Sequence, residues 1–170
     1  MKIKKIFLKS LLTSLVFGSS LSAVADSDKF KIAIIGNAEG SKEILSGDFN
    51  NSIESLTKTS AVKSSFENSM GLCAAYIKTN NANKSESACS TAIDSANAMN
   101  LRSKKGIYLK SLSYSNRGIS RYLNNNISGA IEDLTMAISI DTNPITKNNL
   151  IFVTKSFAET QDNNISNFAD

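Results

Sequence analysis

Three times along the chain a small residue is followed by another twelve positions on, and by a small or apolar residue four positions beyond that. The three sets are Gly40, Ser52 and Leu56; Cys73, Ser85 and Cys89; and Gly118, Ala130 and Leu134. A shift of 78 residues lays "GDFNNSIESL" (Gly47–Leu56) over "NNISGAIEDL" (Asn125–Leu134), pairing Ile53 with Ile131 and Glu54 with Glu132. A shift of 45 lays "ESACSTAI" (Glu86–Ile93) over "IEDLTMAI" and carries Cys73 onto Gly118. Between the first two members of each set lies a polar turn: "SGD", "TNNANK" and "NNNISG". A unit this short cannot enclose its own apolar face, so repetition commits the chain to stacking. Two short helices around such a turn form an αα-hairpin, and the small residues let the pair approach closely.

Helical periodicity agrees. Tyr108, Leu112, Ser115, Ile119, Tyr122 and Leu123 recur at steps of three and four, and Ala130, Leu134, Ala137 and Ile138 give the partner helix its own stripe. Asn143 followed by Pro144 reads as a helix start. Leu150, Val153 and Phe157 then supply the stripe of a capping helix over the last hairpin. The remainder, residues 161–170, reads as a polar flexible tail.

These residues resemble the tetratricopeptide repeat, an αα-hairpin of about 34 residues that stacks into a superhelix. The third unit, "SNRGISRYLNNNISGAIEDLTMAISID" (Ser115–Asp141), carries the pattern through Asn116, Gly118, Ala130, Ala137 and Asp141. The first (about 33–66) carries it through Gly40, "GDF" and "SIESL", the second (about 66–99) through Tyr76 and "ACSTAI". "LCAAY", "SACSTAI" and "YSNRG" together are similar to small exported bacterial tetratricopeptide proteins. The resemblance implies an all-α solenoid of about three repeats over residues 37–160. About eleven extra residues near "NLRSKKGIYLK" interrupt strict stacking, and a lengthened helix is expected there. In the family the first helix of each unit lines a concave groove. The resemblance therefore makes Asn116, Arg117, Arg121 and Tyr122 candidate peptide-binding residues. An asparagine can hold a peptide backbone, and an arginine fork matches a carboxylate. The plainer alternatives are a core Tyr122 and a solvated Arg121, and likewise a solvated helix start for the basic run Arg102–Lys105.

Residues 1–25 read as a bacterial secretory leader: a lysine-rich start, an apolar stretch, and "AVA" before predicted cleavage after Ala25. The leader holds four lysines and no acid, so it accounts for the whole excess of 19 basic over 15 acidic side chains. The remaining neutral chain lacks the single-sign field of a nucleic-acid binder, and no later run is apolar enough to span a membrane. With no histidine in the chain, Ser-His-Asp and Cys-His nucleophile systems and almost every zinc site are excluded. Cys73 and Cys89 are too few for a metal cluster and are not a CxxC pair. They fall at the two contact positions of one hairpin, and in an oxidising compartment a disulfide is expected.

One stretch invites a nucleotide-binding reading: "FKIAIIGNAEGSKEI" from Phe30 runs a β-branched segment into a glycine-rich turn. A phosphate loop needs four residues between its glycines, then Gly-Lys-Ser/Thr. Here Gly36 and Gly40 enclose three, "GSK" reverses the order, and no βαβ pattern follows. Residues 26–36 therefore read as an extended arm leading into the first repeat helix.

The expected function is a non-catalytic scaffold that binds a protein or peptide in the periplasm or outside the cell, with no cofactor. A structural subunit of an envelope assembly is the nearest alternative. An enzyme built on Glu132 and Asp133 is disfavoured, since adjacent helical residues point about 100° apart.

Overall fold

The computed structural model describes residues 30–62, 65–98 and 103–166, with backbone alone at 61–62 and 162–166. The expected leader (1–25), residues 26–29 of the arm, Arg102 of the basic run and residues 167–170 of the tail lie outside the described residues. Within them the chain is all-α: α1 (Ser41–Ser46), α2 (Phe49–Val62), α3 (Phe66–Lys78), α4 (Ala82–Ala98), α5 (Lys104–Leu123), α6 (Ile127–Ile140) and α7 (Pro144–Ser166). Residues 30–35 precede α1 outside any helix or strand.

The three polar turns are one structure written three ways. Gly47, Asn80 and Asn125 each adopt a left-handed backbone, with φ of 84°, 53° and 61°. Each donates its N–H to the carbonyl three residues back: Ile44, Ile77 and Tyr122. The next residue, Asp48, Asn81 or Asn126, donates to the carbonyl five back: Glu43, Tyr76 or Arg121. This is the Schellman closure of a helix, which satisfies carbonyls left unpaired at the end of α1, α3 and α5. Asn is the non-glycine residue that takes this conformation most readily, which explains two asparagines where the first unit has glycine. The following helix begins at once: Asp48, Asn81 and Asn126 accept through their carbonyls from Ser52, Ser85 and Ala130. Other starts are capped by side chains. The Ser65 and Ser103 hydroxyls accept from the N–H groups of Asn68 and Gly106, and Asn143 Oδ1 accepts from those of Ile145 and Thr146.

Each turn brings its set of small residues into contact. A Cβ on Gly118 would lie 2.7 Å from Leu134 Cγ and 3.1 Å from the Ala130 carbonyl oxygen. One on Gly40 would lie 2.8 Å from Ser52 Oγ and 2.9 Å from Leu56. At the equivalent pair of the middle unit the contact is covalent: Cys73 and Cys89 form a disulfide with their Cα atoms 4.7 Å apart. Ser52, Leu56, Cys73, Ser85, Cys89, Ala130 and Leu134 are all buried.

The helices form two layers. The odd-numbered helices pack side by side, α1 on α3, α3 on α5 and α5 on α7, while α2, α4 and α6 fill the outer grooves between them and, among the described residues, do not pack on one another. Three apolar clusters fill the junctions. One is built around Cys73, Cys89, Ile119, Leu134 and Val153, another around Phe66, Met70, Ala92 and Leu112, and the third around Ile44, Ala74 and Ala75.

Some expectations needed adjustment. The first unit has no full first helix: α1 is six residues long and starts after Gly40, which takes φ 71° at its N-cap rather than sitting mid-helix. The lengthened helix expected at the insertion before the third unit is present: α5 is 20 residues long against 13 for α3. Helix α7 runs to Ser166, six residues into the segment read as a tail. Its buried stripe is Thr146, Asn149 and Val153, with Leu150 half-buried and Phe157 exposed. The stripe is polar because it faces a backbone.

Alanine is normally the better helix former by about 1 kcal/mol, so Gly118→Ala reads the close approach directly. The clash is expected to outweigh propensity and destabilise by about 1–3 kcal/mol in urea unfolding. Gly36→Ala, with nothing within 4 Å of the new methyl group, is expected to change stability by less than about 0.5 kcal/mol. Reducing Cys73–Cys89, which encloses a sequence separation of 16, is expected to lower stability by about 3 kcal/mol. Non-reducing mass spectrometry of protein isolated from its native compartment should show the bridge intact, and two free thiols there would contradict it.

Candidate functional site

The arm is gripped by two asparagines. Asn116, on α5, accepts through Oδ1 from the Ala33 N–H (2.9 Å) and donates through Nδ2 to the Ala33 carbonyl (2.8 Å). Asn149, on α7, does the same for Lys31, at 2.7 and 2.8 Å, and its Nδ2 also donates to Ser115 Oγ at 2.9 Å. Both side chains are fully buried. Burying an amide costs several kcal/mol unless its donors and acceptors are met, and here the bonds to the arm meet them.

The geometry follows from the period of an extended chain. Residues 31 and 33 are two apart, so their N–H and C=O groups leave the same edge of the segment. Each amide spans one residue's donor and acceptor, as a neighbouring strand would. None of these four bonds depends on the identity of the residue held.

Side chains of the arm fill the spaces between. The Phe30 ring meets Phe152 edge-on, centroids 5.6 Å apart, and Phe152 meets Tyr122 in the same way at 5.4 Å. Ile32 packs against the clusters of Cys73 and of Ile44, Ile34 against the latter, and Ile35 against that of Phe66. Ala33 is buried within the Phe66 cluster, while Lys31 is exposed. The arm thus crosses the inner layer from α7 through α5 to α3 and α1.

The four residues expected at a peptide site divide between two faces of α5. Asn116 and half-buried Tyr122 lie towards the arm and α7. Arg117 and Arg121 lie towards α4 and α6. Arg117 forms a two-pronged pair with Asp133 at 2.8 and 2.7 Å, donates to Ser90 Oγ at 3.2 Å, and lies over the Tyr114 ring. Arg121 bonds Glu86 through Nε at 2.8 Å and reaches the same Asp133 at 3.0 Å. The hydrogen bonds from Arg117 to Asp133 raise the guanidinium pKa further above its ordinary value, against the opposing effect of burial. These arginines join α4, α5 and α6 and spend their forks on carboxylates of the chain itself. Glu132 is exposed while Asp133 is buried, so the adjacent acids do not converge. The basic run ends as a helix start, with Lys104 and Lys105 exposed behind the Ser103 cap.

Sequence reasoning missed Asn149. Its signal was an asparagine 33 positions after Asn116 and so about one repeat length away. Among the described residues no three His, Cys, Asp or Glu side chains cluster to hold a metal, and no helix is long and apolar enough to cross a membrane. Comparison with protein-family models, with curated proteins and with solved structures finds no match to the chain.

The clamp can be read through pH. Asn116→Asp keeps the acceptor for the Ala33 N–H but sets a carboxylate oxygen against the Ala33 carbonyl, at an expected cost of about 2–4 kcal/mol at pH 7. Burial and the facing carbonyl raise the new carboxyl's folded pKa above the unfolded value of about 3.9. Its protonated form donates to the carbonyl. The deficit relative to wild type is therefore smallest below about pH 3.9 and grows as pH rises through the folded pKa. Urea unfolding of both proteins at pH 4 and pH 7 measures it; equal deficits would mean that Asn116 does not donate to Ala33.

Proposed function

We propose that the protein is an exported, tetratricopeptide-like solenoid whose inner layer holds extended peptide segments, a non-catalytic binding scaffold of the cell envelope. One observation carries this reading: buried Asn116 and Asn149 each hold the N–H and C=O of alternate residues of an extended chain. Main-chain bonds of this kind supply affinity without regard to sequence, and side-chain pockets between them supply selectivity.

The repeat reading is supported by three hairpins closed by the same hydrogen-bond pattern and by the close contact within each. Export is supported by the leader-like residues 1–25 and by the disulfide, which persists in oxidising compartments. Arg117 and Arg121 act in this scheme as braces that fix α5, and with it Asn116, against α4 and α6.

Multivalent peptide display on the immobilised mature chain (26–170) tests the proposal. Wild type is expected to enrich apolar peptides that bind in extended form, and N-methylation of a peptide backbone amide that meets one of the asparagines to reduce retention by about tenfold, since it removes a donor from the peptide and leaves the protein unchanged. Enrichment no greater than on a bare surface would count against a peptide-binding role.

A further inference from the structure

The segment seated in the groove states what the groove accepts. Its positions read in order as an aromatic ring against Phe152, a free position at exposed Lys31, a large aliphatic at Ile32, a small residue at buried Ala33, and two large aliphatics at Ile34 and Ile35. The small position is the strictest. Ala33 is gripped on both its N–H and its C=O by Asn116 and is buried in a cluster with Phe66, Met70, Ala92, Ala96 and Leu112. A charged or bulky side chain there has no space and no partner.

The same segment is built to leave. Among the described residues, the main chain of Lys31 and Ala33 bonds side chains only, so withdrawing it breaks no helix hydrogen bond. On its C-terminal side it joins α1 through a turn that includes Gly36, whose surroundings are open, and Asn37, exposed with φ 62°. On its N-terminal side it begins a few residues after the predicted cleavage point.

Resting on the peptide-binding reading above, we propose that residues 30–35 are an internal occupant of the groove. The external partner is an extended peptide of the pattern aromatic, any, large aliphatic, small, large aliphatic, large aliphatic, which enters by displacing them. The tethered arm competes at the millimolar effective concentration of a short linker, so a peptide must match most positions to win. While seated, the arm also covers an apolar surface that would otherwise promote association.

The probe is a fluorescein-labelled peptide with the sequence of residues 27–38, SDKFKIAIIGNA, titrated by anisotropy against the full mature chain. In the protein, Ala33→Arg expels the arm, and this variant is expected to bind the probe about tenfold or more tighter than wild type. A probe carrying the same Ala33→Arg change is expected to bind neither protein. Equal or absent binding by a variant that is folded by circular dichroism overturns the proposal. Hydrogen exchange on wild type provides a reading that does not depend on that variant folding. The Lys31 and Ala33 amides are expected to exchange at least about tenfold faster than the core of α5, and equal rates would mean that the arm leaves only on global unfolding, which overturns it. A wild-type dimer formed by exchange of arms would assign the groove to a second copy and overturn it as well. Display that enriches only peptides of another pattern removes this proposal and leaves the peptide-binding reading; display that enriches none removes both.

Discussion

Everything in this fold depends on how near two helices can come. Where Gly118 meets Ala130 and Leu134, α5 contributes no side chain, so the Leu134 side chain and the Ala130 carbonyl come directly against its backbone. Leu134 then fills space that a Cβ at 118 would take, and the remaining core residues pack at the depth so defined. In the middle unit the same position uses sulfur, and Cys73–Cys89 turns a contact into a bond. A domain of this size, with little aromatic residue and no tryptophan, gains its apolar burial from close fitting rather than from large side chains. That accounts for a core rich in alanine, serine and cysteine.

Close helices need closely matched turns, which is why the three turns are so alike. Gly47, Asn80 and Asn125 occupy one conformation and lie 33 and 45 residues apart, the same offsets that align the small residues. This part of the structure was legible in the sequence, because turn chemistry and helix contact are local or nearly local. The disulfide was legible for the same reason. Less legible was the first unit. Its Gly40 aligns with Gly118, yet it caps a helix of six residues, because the chain before it is committed to an extended run of β-branched residues.

The candidate site was half visible. Asn116 became a candidate through the resemblance to the repeat, but its target could not be read from sequence, since the segment it holds lies 83 residues away. Arg117 and Arg121 have the chemistry to bind a carboxylate, and they find one in Asp133, a residue whose neighbour Glu132 is exposed. No pattern distinguishes a guanidinium that waits for a ligand from one that has its partner within the fold. Only the geometry of three packed helices does so. The buried Asp133 is tolerable because two arginines surround it, and removing both would leave its charge buried and uncompensated.

The arm has a consequence for how the chain comes to be folded. Lys31 is joined to Asn149 across 118 residues of sequence, so the earliest part of the described chain waits for one of the latest. A hairpin such as α3–α4 can close on local contacts alone, whereas the arm needs α5 and α7 in place before either asparagine can receive it. In a chain made from its N-terminus, residues 30–35 therefore wait through most of synthesis as an unprotected β-prone stretch. That stretch, whose main chain is held by side chains 83 and 118 residues further on, is among the last parts of the fold to settle.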